Sequence, residues 1–252
     1  MSSSIWTRCG AASNLKPLTA RPFRSVEAQH LVSTRKLTNS DAEQILLEDI
    51  LEASKPPPGE GTSGLHYLLY TPFRYPPLAH GSRFGARNER GIWYGSETLH
   101  TCFAEVAYYR FVFLEGTAAE LAPLLVELTT FQARVRTARA IDLTRAPFDA
   151  YATRISSPTR YETSQRLGRE MRADGVEAVR YASARDPAGV SYALLSPRAF
   201  SAKRPQKIEN WLCVATREAV EISKKEHRRH RETWGFVREQ FEVRGQLPSP
   251  AT

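Results

Sequence analysis

Short strand-like segments dominate this 252-residue sequence, and helices do not alternate with them in a regular order. Apolar runs typical of strands occur at Leu124 to Leu128, Ala140 to Leu143, Val176 to Tyr181 and Val190 to Leu195. A doubly wound sheet requires a regular succession of strand, helix and parallel strand, which this order does not provide. We therefore expect an α+β fold with a mixed, mostly antiparallel sheet core and flanking helices.

Capping signals and apolar spacing predict the helices. Ser40 and Glu43 have the spacing of a capping box, and an apolar helical face follows at Ile45, Leu46, Leu47, Ile50 and Leu51. A second helix is predicted to begin after Ser96 or Thr98, with a buried stripe formed by Leu99, Cys102, Phe103 and Val106. Tyr161 to Ala173 is predicted to be a third helix. Further short strands are predicted at His66 to Tyr70, Ile92 to Tyr94 and Trp211 to Val214.

Proline and glycine divide the chain into parts. Pro56 to Gly59 ends the first helix and forms a stiff spacer, so residues 1–60 are predicted to be an N-terminal extension with one helix. Residues 61–215 are predicted to be the main domain. Residues 216–252 include a cluster of basic residues and are predicted to be a basic helical tail.

Composition argues against several classes of protein. No apolar run approaches the ~20 residues of a membrane-spanning helix. Cys9, Cys102 and Cys213 are scattered, which disfavours a disulfide framework and structural zinc and favours a reducing cytoplasm. The six histidines lack a spacing such as HExxH, so no metal site is expected. The net charge is +8, which suits an anionic partner, but no helix-turn-helix, zinc-finger or RNP signature accompanies it.

Four residues between Arg74 and Glu105 are candidates for chemistry. Arg74, Arg83, Tyr94 and Glu105 are separated by nine, eleven and eleven positions. Glu105 follows an apolar helical stripe and has tyrosines three and four positions away, so an ionised carboxylate there is expected to need a partner. Arg83 or Arg74 could supply it. A purely structural Arg–Glu pair between the loop and the helix explains the same spacing.

The motifs in this region resemble the RES domain family. The matching strings are Thr71-Pro-Phe-Arg74, Gly81-Ser-Arg83-Phe84, Ile92-Trp-Tyr94-Gly and Cys102-Phe-Ala-Glu105-Val106, followed by Val179-Arg-Tyr-Ala-Ser183-Ala-Arg185. They occur in the family's order and cover roughly residues 61–200. The sequence departs from the family where Phe84 replaces a common Trp, and residues 1–60 and the basic tail lie outside the pattern.

The resemblance implies a fold similar to ADP-ribosyltransferases of the diphtheria-toxin type and a bacterial toxin that consumes NAD. It makes residues 61–215 an NAD-binding catalytic domain, with NAD as the substrate and no cofactor. The implied partners are a cognate, Xre-like antitoxin and a second copy of the chain. The implied site consists of Arg74, Arg83, Tyr94, Glu105 and Ser183.

These residue types suit cleavage of the bond between nicotinamide and ribose. A carboxylate at Glu105 can stabilise the positive charge that develops on the sugar, and Arg74 and Arg83 can hold the diphosphate. Tyr94 offers a flat face to nicotinamide and a hydroxyl to a ribose, and Ser183 is a hydrogen-bond donor. No GxGxxG motif follows a strand, so hydride transfer on a Rossmann fold is not expected.

Two other functions stay open at the level of sequence. The ADP-ribose could be transferred to a host protein instead of water or phosphate. The chain could also be a non-enzymatic nucleic-acid-binding protein that uses its positive charge. The basic run from His227 to Arg231 could contact RNA or an acidic antitoxin, or could be a solvated helix face.

Overall fold

A single mixed sheet of ten strands organises the part of the chain that the computed structural model describes, residues 4–28, 37–77, 80–119, 121–225 and 232–249. The strands are β1 (Lys16–Ala20), β2 (Phe23–Glu27), β3 (Trp93–Ser96), β4 (Leu124–Gln132), β5 (Val135–Asp142), β6 (Ala178–Ala182), β7 (Val190–Leu194), β8 (Gln206–Ala215), β9 (Ala219–Lys224) and β10 (Thr233–Val237). The helices are α1 (Ile5–Arg8), α2 (Asp41–Ser54), α3 (Tyr67–Arg74), α4 (Leu99–Glu115), α5 (Ala152–Ile155) and α6 (Glu162–Ala173).

The strand order is β1-β5-β6-β7-β3-β2-β4-β8-β9-β10. Neighbouring strands are antiparallel, except for the parallel pair β5 and β6. The parallel pair is joined through α5 and α6, as a parallel connection requires a crossover. The α+β class with a mostly antiparallel sheet is therefore confirmed.

Helix α4 buries about half of its residues because many of its side chains are apolar. Thr98 caps its first turn by accepting a hydrogen bond from the backbone N of Thr101, which confirms the predicted start. Its buried side chains pack with those of β8, β9 and β10 in a core that includes Phe103, Phe111, Trp211 and Ile222. Cys102 is 5% exposed, in agreement with the predicted buried stripe, and Trp93 of β3 is fully buried.

Residues 1–60 are more than the helical extension that the sequence predicts. Strand β1 pairs with β5, and β2 lies between β3 and β4 in the middle of the sheet. The prediction missed both strands because their side chains are only partly buried and show no clear alternation of apolar and polar residues. Long-range pairing, which a local pattern does not reveal, stabilises them.

The prediction of a helical tail over residues 216–252 is wrong in the described part of that range. Residues Ala219 to Lys224 and Thr233 to Val237 form the last two strands of the sheet. In β9 the exposed residues Ala219 and Glu221 alternate with the buried side chains of Val220 and Ile222, as expected for a strand with one face in the core. Residues 227–231, which hold the densest basic run, lie outside the described residues.

The predicted strand over His66 to Tyr70 is wrong, because this segment begins helix α3. His66 caps the helix, and its Nδ1 accepts a hydrogen bond from the backbone N of Leu68 at 3.3 Å. A five-residue apolar run does not distinguish a strand from a helix. The capping box of α2 forms as predicted, with the Ser40 hydroxyl accepting from the backbone N of Glu43 at 3.2 Å, yet its apolar face is exposed at Ile45, Leu46 and Ile50.

The sheet opens where β2 meets β3. Strand β2 pairs with β4 over five residues, but with β3 only through Phe23 and Ser96. The two strands therefore diverge on one side of that pair.

Within the described ranges, none of the helices combines the length and the apolar character that a membrane crossing requires.

We expect a chain that begins at residue 61 to fail to fold. Without β2, β3 and β4 each lose a neighbour in the middle of the sheet, and their backbone groups lose hydrogen bonds that burial makes costly to leave unmade. Far-UV circular dichroism and a thermal melt measure the outcome. The matched full-length control carries Ile45→Ser and Ile50→Ser on the exposed face of α2 and should melt cooperatively. A cooperative melt of the shortened chain would contradict the structure.

Candidate functional site

A cavity of about 730 Å³ opens where β2 and β3 diverge. Its volume lies within the range of about 300–1,000 Å³ that is typical of ligand pockets. The walls come from β2 and β3, the end of α3, one face of α4, the loop at Gly81 to Arg83 and the loop that follows β6. Because these elements come from distant parts of the chain, the cavity forms only when the sheet is assembled.

The structure brings four of the five predicted site residues into this cavity. Arg83, Tyr94, Glu105 and Ser183 line it, from a loop, a strand, a helix and a second loop respectively. Arg74 is not among its lining residues. Polar and aromatic side chains that the sequence analysis did not assign to the site also face the cavity, and they include Arg24, Ser25, Tyr109, Tyr161 and Tyr181.

Arg83 is 8% exposed and is held in place by backbone carbonyls. Its Nη1 donates to the carbonyl oxygens of Ile155 at 3.1 Å and Ser157 at 3.0 Å. The guanidinium carbon lies 5.0 Å from the centre of the Tyr161 ring, a cation–π arrangement. Nε and Nη2 have no hydrogen-bond partner within the described ranges, so two donor groups are free for an anion.

Replacing Arg83 with lysine is expected to lower activity at this site by about tenfold or more, because an ammonium cannot keep both carbonyl contacts and also grip an anion bidentately. The exposed Arg87 of the same loop supplies the matched control, Arg87→Lys. Initial rates of loss of NAD, the substrate that the resemblance implies, measure the difference between the two variants. Equal rates would remove Arg83 from anion binding.

Tyr94 presents its ring to the cavity while its hydroxyl is occupied. The hydroxyl donates to Ser82 Oγ at 2.9 Å and accepts from the backbone N of Phe84 at 3.1 Å. Burial raises the pKa of Tyr94 to about 12, so the phenol stays neutral near pH 7. The predicted contact of the ring is compatible with this geometry. The hydroxyl hydrogen is bound to Ser82 and one acceptor position to Phe84, so a ribose hydroxyl could reach only the second acceptor position of the oxygen.

Glu105 lies on the face of α4 that borders the cavity, and its side chain is exposed. It makes no hydrogen bond or ion pair with any residue that the structure describes. The predicted pair with Arg83 or Arg74 does not form, because each arginine is held elsewhere. Tyr109, one helical turn further on, also borders the cavity. Glu105 is thus an unpaired carboxylate at an aromatic wall.

Ser183 sits at the start of the loop between β6 and β7. Its hydroxyl oxygen accepts hydrogen bonds from the backbone N of Arg185 at 3.1 Å and of Asp186 at 3.2 Å. With two donors on its oxygen, the hydroxyl hydrogen is left to point away from the loop backbone. This arrangement is compatible with the predicted role of a donor toward a ligand, and among the described residues the Ser183 hydroxyl has no hydrogen bond to a base that would make it a nucleophile.

Arg74 faces away from the site, contrary to the prediction. Its Nη1 pairs with Glu52 of α2 at 2.7 Å, and its Nε donates to the carbonyl of Pro56. The hydrogen bond with Glu52 raises the pKa of Arg74. Arg74 therefore attaches α2 to the end of α3. The sequence could not reveal this, since Glu52 lies 22 positions earlier in a segment assigned to an extension.

Arg24 of β2 is an arginine that lines the cavity and that the sequence analysis did not assign to the site. Its Nη1 donates to the carbonyl of Tyr94 at 2.6 Å, across the opening between β2 and β3, and its Nε is buried without a partner among the described residues. Burial lowers the pKa of Arg24 to about 10, which still leaves a cation near pH 7. The Ser25 hydroxyl beside it is also buried and unpartnered within the same ranges. No local pattern in the sequence marks Arg24, because the side chains of Phe23 to Glu27 are partly buried or exposed without a clear alternation.

Two other sequence-based expectations concern histidine and metals. His80 borders the cavity, and its carbonyl accepts from Gln165 Nε2 at 3.2 Å. Across the described ranges, no group of three or more His, Cys, Asp or Glu side chains is arranged to hold a metal ion. The cavity combines the cationic donors of Arg24 and Arg83, the unpaired carboxylate of Glu105 and aromatic walls. Such a lining suits an anionic ligand that carries sugar and ring groups.

Comparison with known proteins gives one family. No curated protein sequence matches the chain. Among solved structures, a chain of the M. tuberculosis MbcT–MbcA toxin–antitoxin complex is similar at 12% sequence identity and a TM-score of 0.46, covering 84% of this chain and 91% of that chain. The model of the RES domain matches residues 61–215, which carry four of the five predicted site residues within the cavity. The match spans more than half of the sequence, and the chain belongs to the RES domain family.

Proposed function

We propose that the chain is a RES-type toxin that consumes NAD by cleaving the bond between nicotinamide and ribose, with water or phosphate as the acceptor. The observation that supports this most strongly is the convergence of Arg83, Tyr94, Glu105 and Ser183 on one cavity of about 730 Å³. Together with Arg24, these side chains match the charged, sugar and ring portions of a dinucleotide.

The diphosphate of NAD is proposed to bind Arg24 and Arg83. Both guanidinium groups border the cavity and keep donor groups without a partner in the described part of the chain. Charge-assisted hydrogen bonds to phosphate are about twice as strong as those between neutral groups, and the partly buried setting of both arginines limits competition from water. Arg74 has no part in this proposal.

Glu105 is proposed to act on the ribose that carries nicotinamide. As the C–N bond breaks, the electron pair leaves with nicotinamide, and positive charge develops on the sugar. An unpaired carboxylate beside the sugar stabilises that charge, which an ion-paired one would do less well. The oxygen of water or phosphate then forms the new bond at the same carbon and loses its proton to the medium.

Aromatic side chains and Ser183 complete the proposed site. The Tyr94 ring and the buried rings of Tyr161 and Tyr181 line the cavity, and flat rings of this kind can hold a cationic nicotinamide. The Ser183 hydroxyl is available as a donor to a ribose hydroxyl or a phosphate oxygen. NAD is the substrate in this scheme, and no cofactor is required.

The proposed partners follow from membership of the family. We propose a cognate, Xre-like antitoxin, a homodimer and a cytoplasmic location. The similar M. tuberculosis protein is described as a toxin in complex with its antitoxin. Lys224 and Lys225, at the edge of the basic run, pair with Glu209 and Glu127, which reduces the charge there that could attract nucleic acid.

Incubation of the pure protein with NAD, with and without phosphate, tests the proposal. We expect free nicotinamide together with ADP-ribose from hydrolysis, or a phosphorylated ADP-ribose when phosphate is the acceptor. Mass spectrometry of host proteins after expression detects the alternative, transfer of ADP-ribose to a protein. If NAD stays intact in every condition while the protein is retained on heparin with a steep salt dependence, a nucleic-acid-binding role replaces the enzyme.

A further inference from the structure

The loop between β6 and β7 is closed by its own hydrogen bonds. The backbone N of Ser183 donates to the carbonyl of Gly189 at 2.9 Å, and the backbone N of Gly189 donates to the carbonyl of Asp186 at 2.8 Å. The Ser183 hydroxyl accepts from the backbone N of Arg185 and of Asp186. The Ser183 side chain and the backbone of Asp186 are therefore parts of one small rigid unit.

The Asp186 carboxylate connects this loop to α4. Its Oδ2 accepts from Thr101 Oγ1 at 2.7 Å and lies 3.0 Å from His100 Nδ1. Asp186 is 9% exposed and Thr101 only 1%. Burial pushes the pKa of Asp186 up, but the hydrogen bonds from Thr101 and His100 outweigh it and hold the pKa below its usual value. The group that contacts Thr101 and His100 is therefore the buried carboxylate of Asp186.

The contact lies one helical turn from Glu105. Thr101 and Glu105 are four residues apart on α4, a spacing that puts them on the same side of the helix. A negative charge also suits the first turn of a helix, where unpaired backbone N–H groups carry partial positive charge. Asp186 thereby joins the loop of Ser183 to the helix of Glu105 at a point close to both.

Gly189 shows how tightly this contact is packed. A Cβ atom at position 189 would lie 2.6 Å from Asp186 Oδ2 and 2.7 Å from Thr101 Oγ1. Real Cβ atoms do not approach other atoms so closely, so any larger residue would push the carboxylate away from the helix. The close approach of the loop backbone to α4 depends on glycine at this position.

We propose that Asp186 is a positioning residue that sets Ser183 relative to Glu105. It does not border the cavity itself and acts through the Ser183 hydroxyl, whose orientation depends on the backbone N of Asp186. The effect of Asp186 on catalysis rests on the proposed NAD-cleaving function. Its effect on the structure, which is to hold the loop rigidly against α4, is independent of that function.

The first experiment measures the loop without any substrate. Amide hydrogen exchange over residues 183–189 is expected to become about tenfold faster or more in Asp186→Ala, and also in Thr101→Val, which removes the same hydrogen bond from the other side. Asp149→Ala is the matched control, because the exposed Asp149 carboxylate accepts from the backbone N of Ala150 and lies outside the cavity. It should leave exchange in the loop unchanged.

The second experiment is a double-mutant cycle on NAD cleavage. Asp186→Ala is expected to lower kcat/KM by about 10²-fold, since a misplacement of about 1 Å can have that effect. In a Ser183→Ala background the same change should alter kcat/KM by no more than about twofold, because the group through which Asp186 acts is already absent. If Asp186→Ala acted only by destabilising the protein, it would lower kcat/KM by the same factor in both backgrounds. Should Asp186→Ala not fold, Thr101→Val takes its place in the cycle.

The outcomes separate this inference from the proposed function. If the wild type does not cleave NAD but exchange in the loop rises in both variants, the positioning role stands and the reaction is different. If NAD is cleaved and the two substitutions multiply in their effects, Asp186 does not act through Ser183. Unchanged exchange in both variants would overturn the inference directly.

Discussion

Replacing Glu105 with glutamine is expected to lower the rate of NAD cleavage by about 10²–10³-fold, the usual effect of removing one group that stabilises charge in a transition state. Glutamine keeps the shape and the hydrogen-bonding oxygen but loses the negative charge. The melting temperature should stay the same, because the Glu105 side chain is exposed and has no partner in the described part of the chain. Nicotinamide release by the pure variant, and growth arrest on its expression, measure the effect.

Glu115→Gln is the matched control for this experiment. Glu115 is an exposed carboxylate at the far end of the same helix, where it pairs with Arg238 outside the cavity. Removing its charge should leave NAD cleavage unchanged. A Glu105→Gln protein that is folded and cleaves NAD at the wild-type rate would exclude this carboxylate from the mechanism and leave the cavity as a binding site only.

Replacing Arg24 with methionine is expected to raise KM for NAD by about 10- to 100-fold, since hydrogen bonds to charged groups contribute about 1.5–3 kcal/mol. Methionine keeps most of the volume and removes a partly buried cation whose Nε has no partner among the described residues. The fold should therefore tolerate the change better than the ligand does. Steady-state kinetics and a direct titration with ADP-ribose measure the loss.

Arg74→Met is the matched variant, and the two together test the reassignment of the second arginine. Arg74 is held by Glu52 and Pro56 and does not border the cavity, so KM for NAD should change by no more than about twofold. The sequence alone predicts the reverse result, a strong effect at Arg74. A larger rise in KM for Arg74→Met than for Arg24→Met would restore the sequence-based assignment.

The fold could be predicted where local patterns decide the structure. The starts of α2 and α4 follow from Ser40 and Thr98, whose side chains cap the first turns. The central position of β2 could not be predicted in this way. Its five residues have mixed polarity, and pairing with β4, about a hundred residues away in the chain, stabilises them. The same holds for β9 and β10, which flank the cluster of basic residues that suggested a helix.

The sequence predicts which residues line the cavity better than it predicts the contacts that those residues make. Arg83, Tyr94, Glu105 and Ser183 do line one cavity, as the family's motifs imply. The expected pairing of Glu105 with an arginine does not occur, because backbone carbonyls hold Arg83 and such groups leave no trace in a sequence. Arg24 was missed for the same physical reason that β2 was missed.

The lining of the cavity extends along the chain from Phe23 to Ser191. The ribosome therefore synthesises β2 long before it synthesises β7, the strand that completes the opposite wall of the cavity. Any product of interrupted translation that stops short of β7 lacks part of the pocket, together with the antiparallel neighbour of β3. The cell that synthesises the protein is thus exposed to the assembled pocket only after translation has passed residue 191.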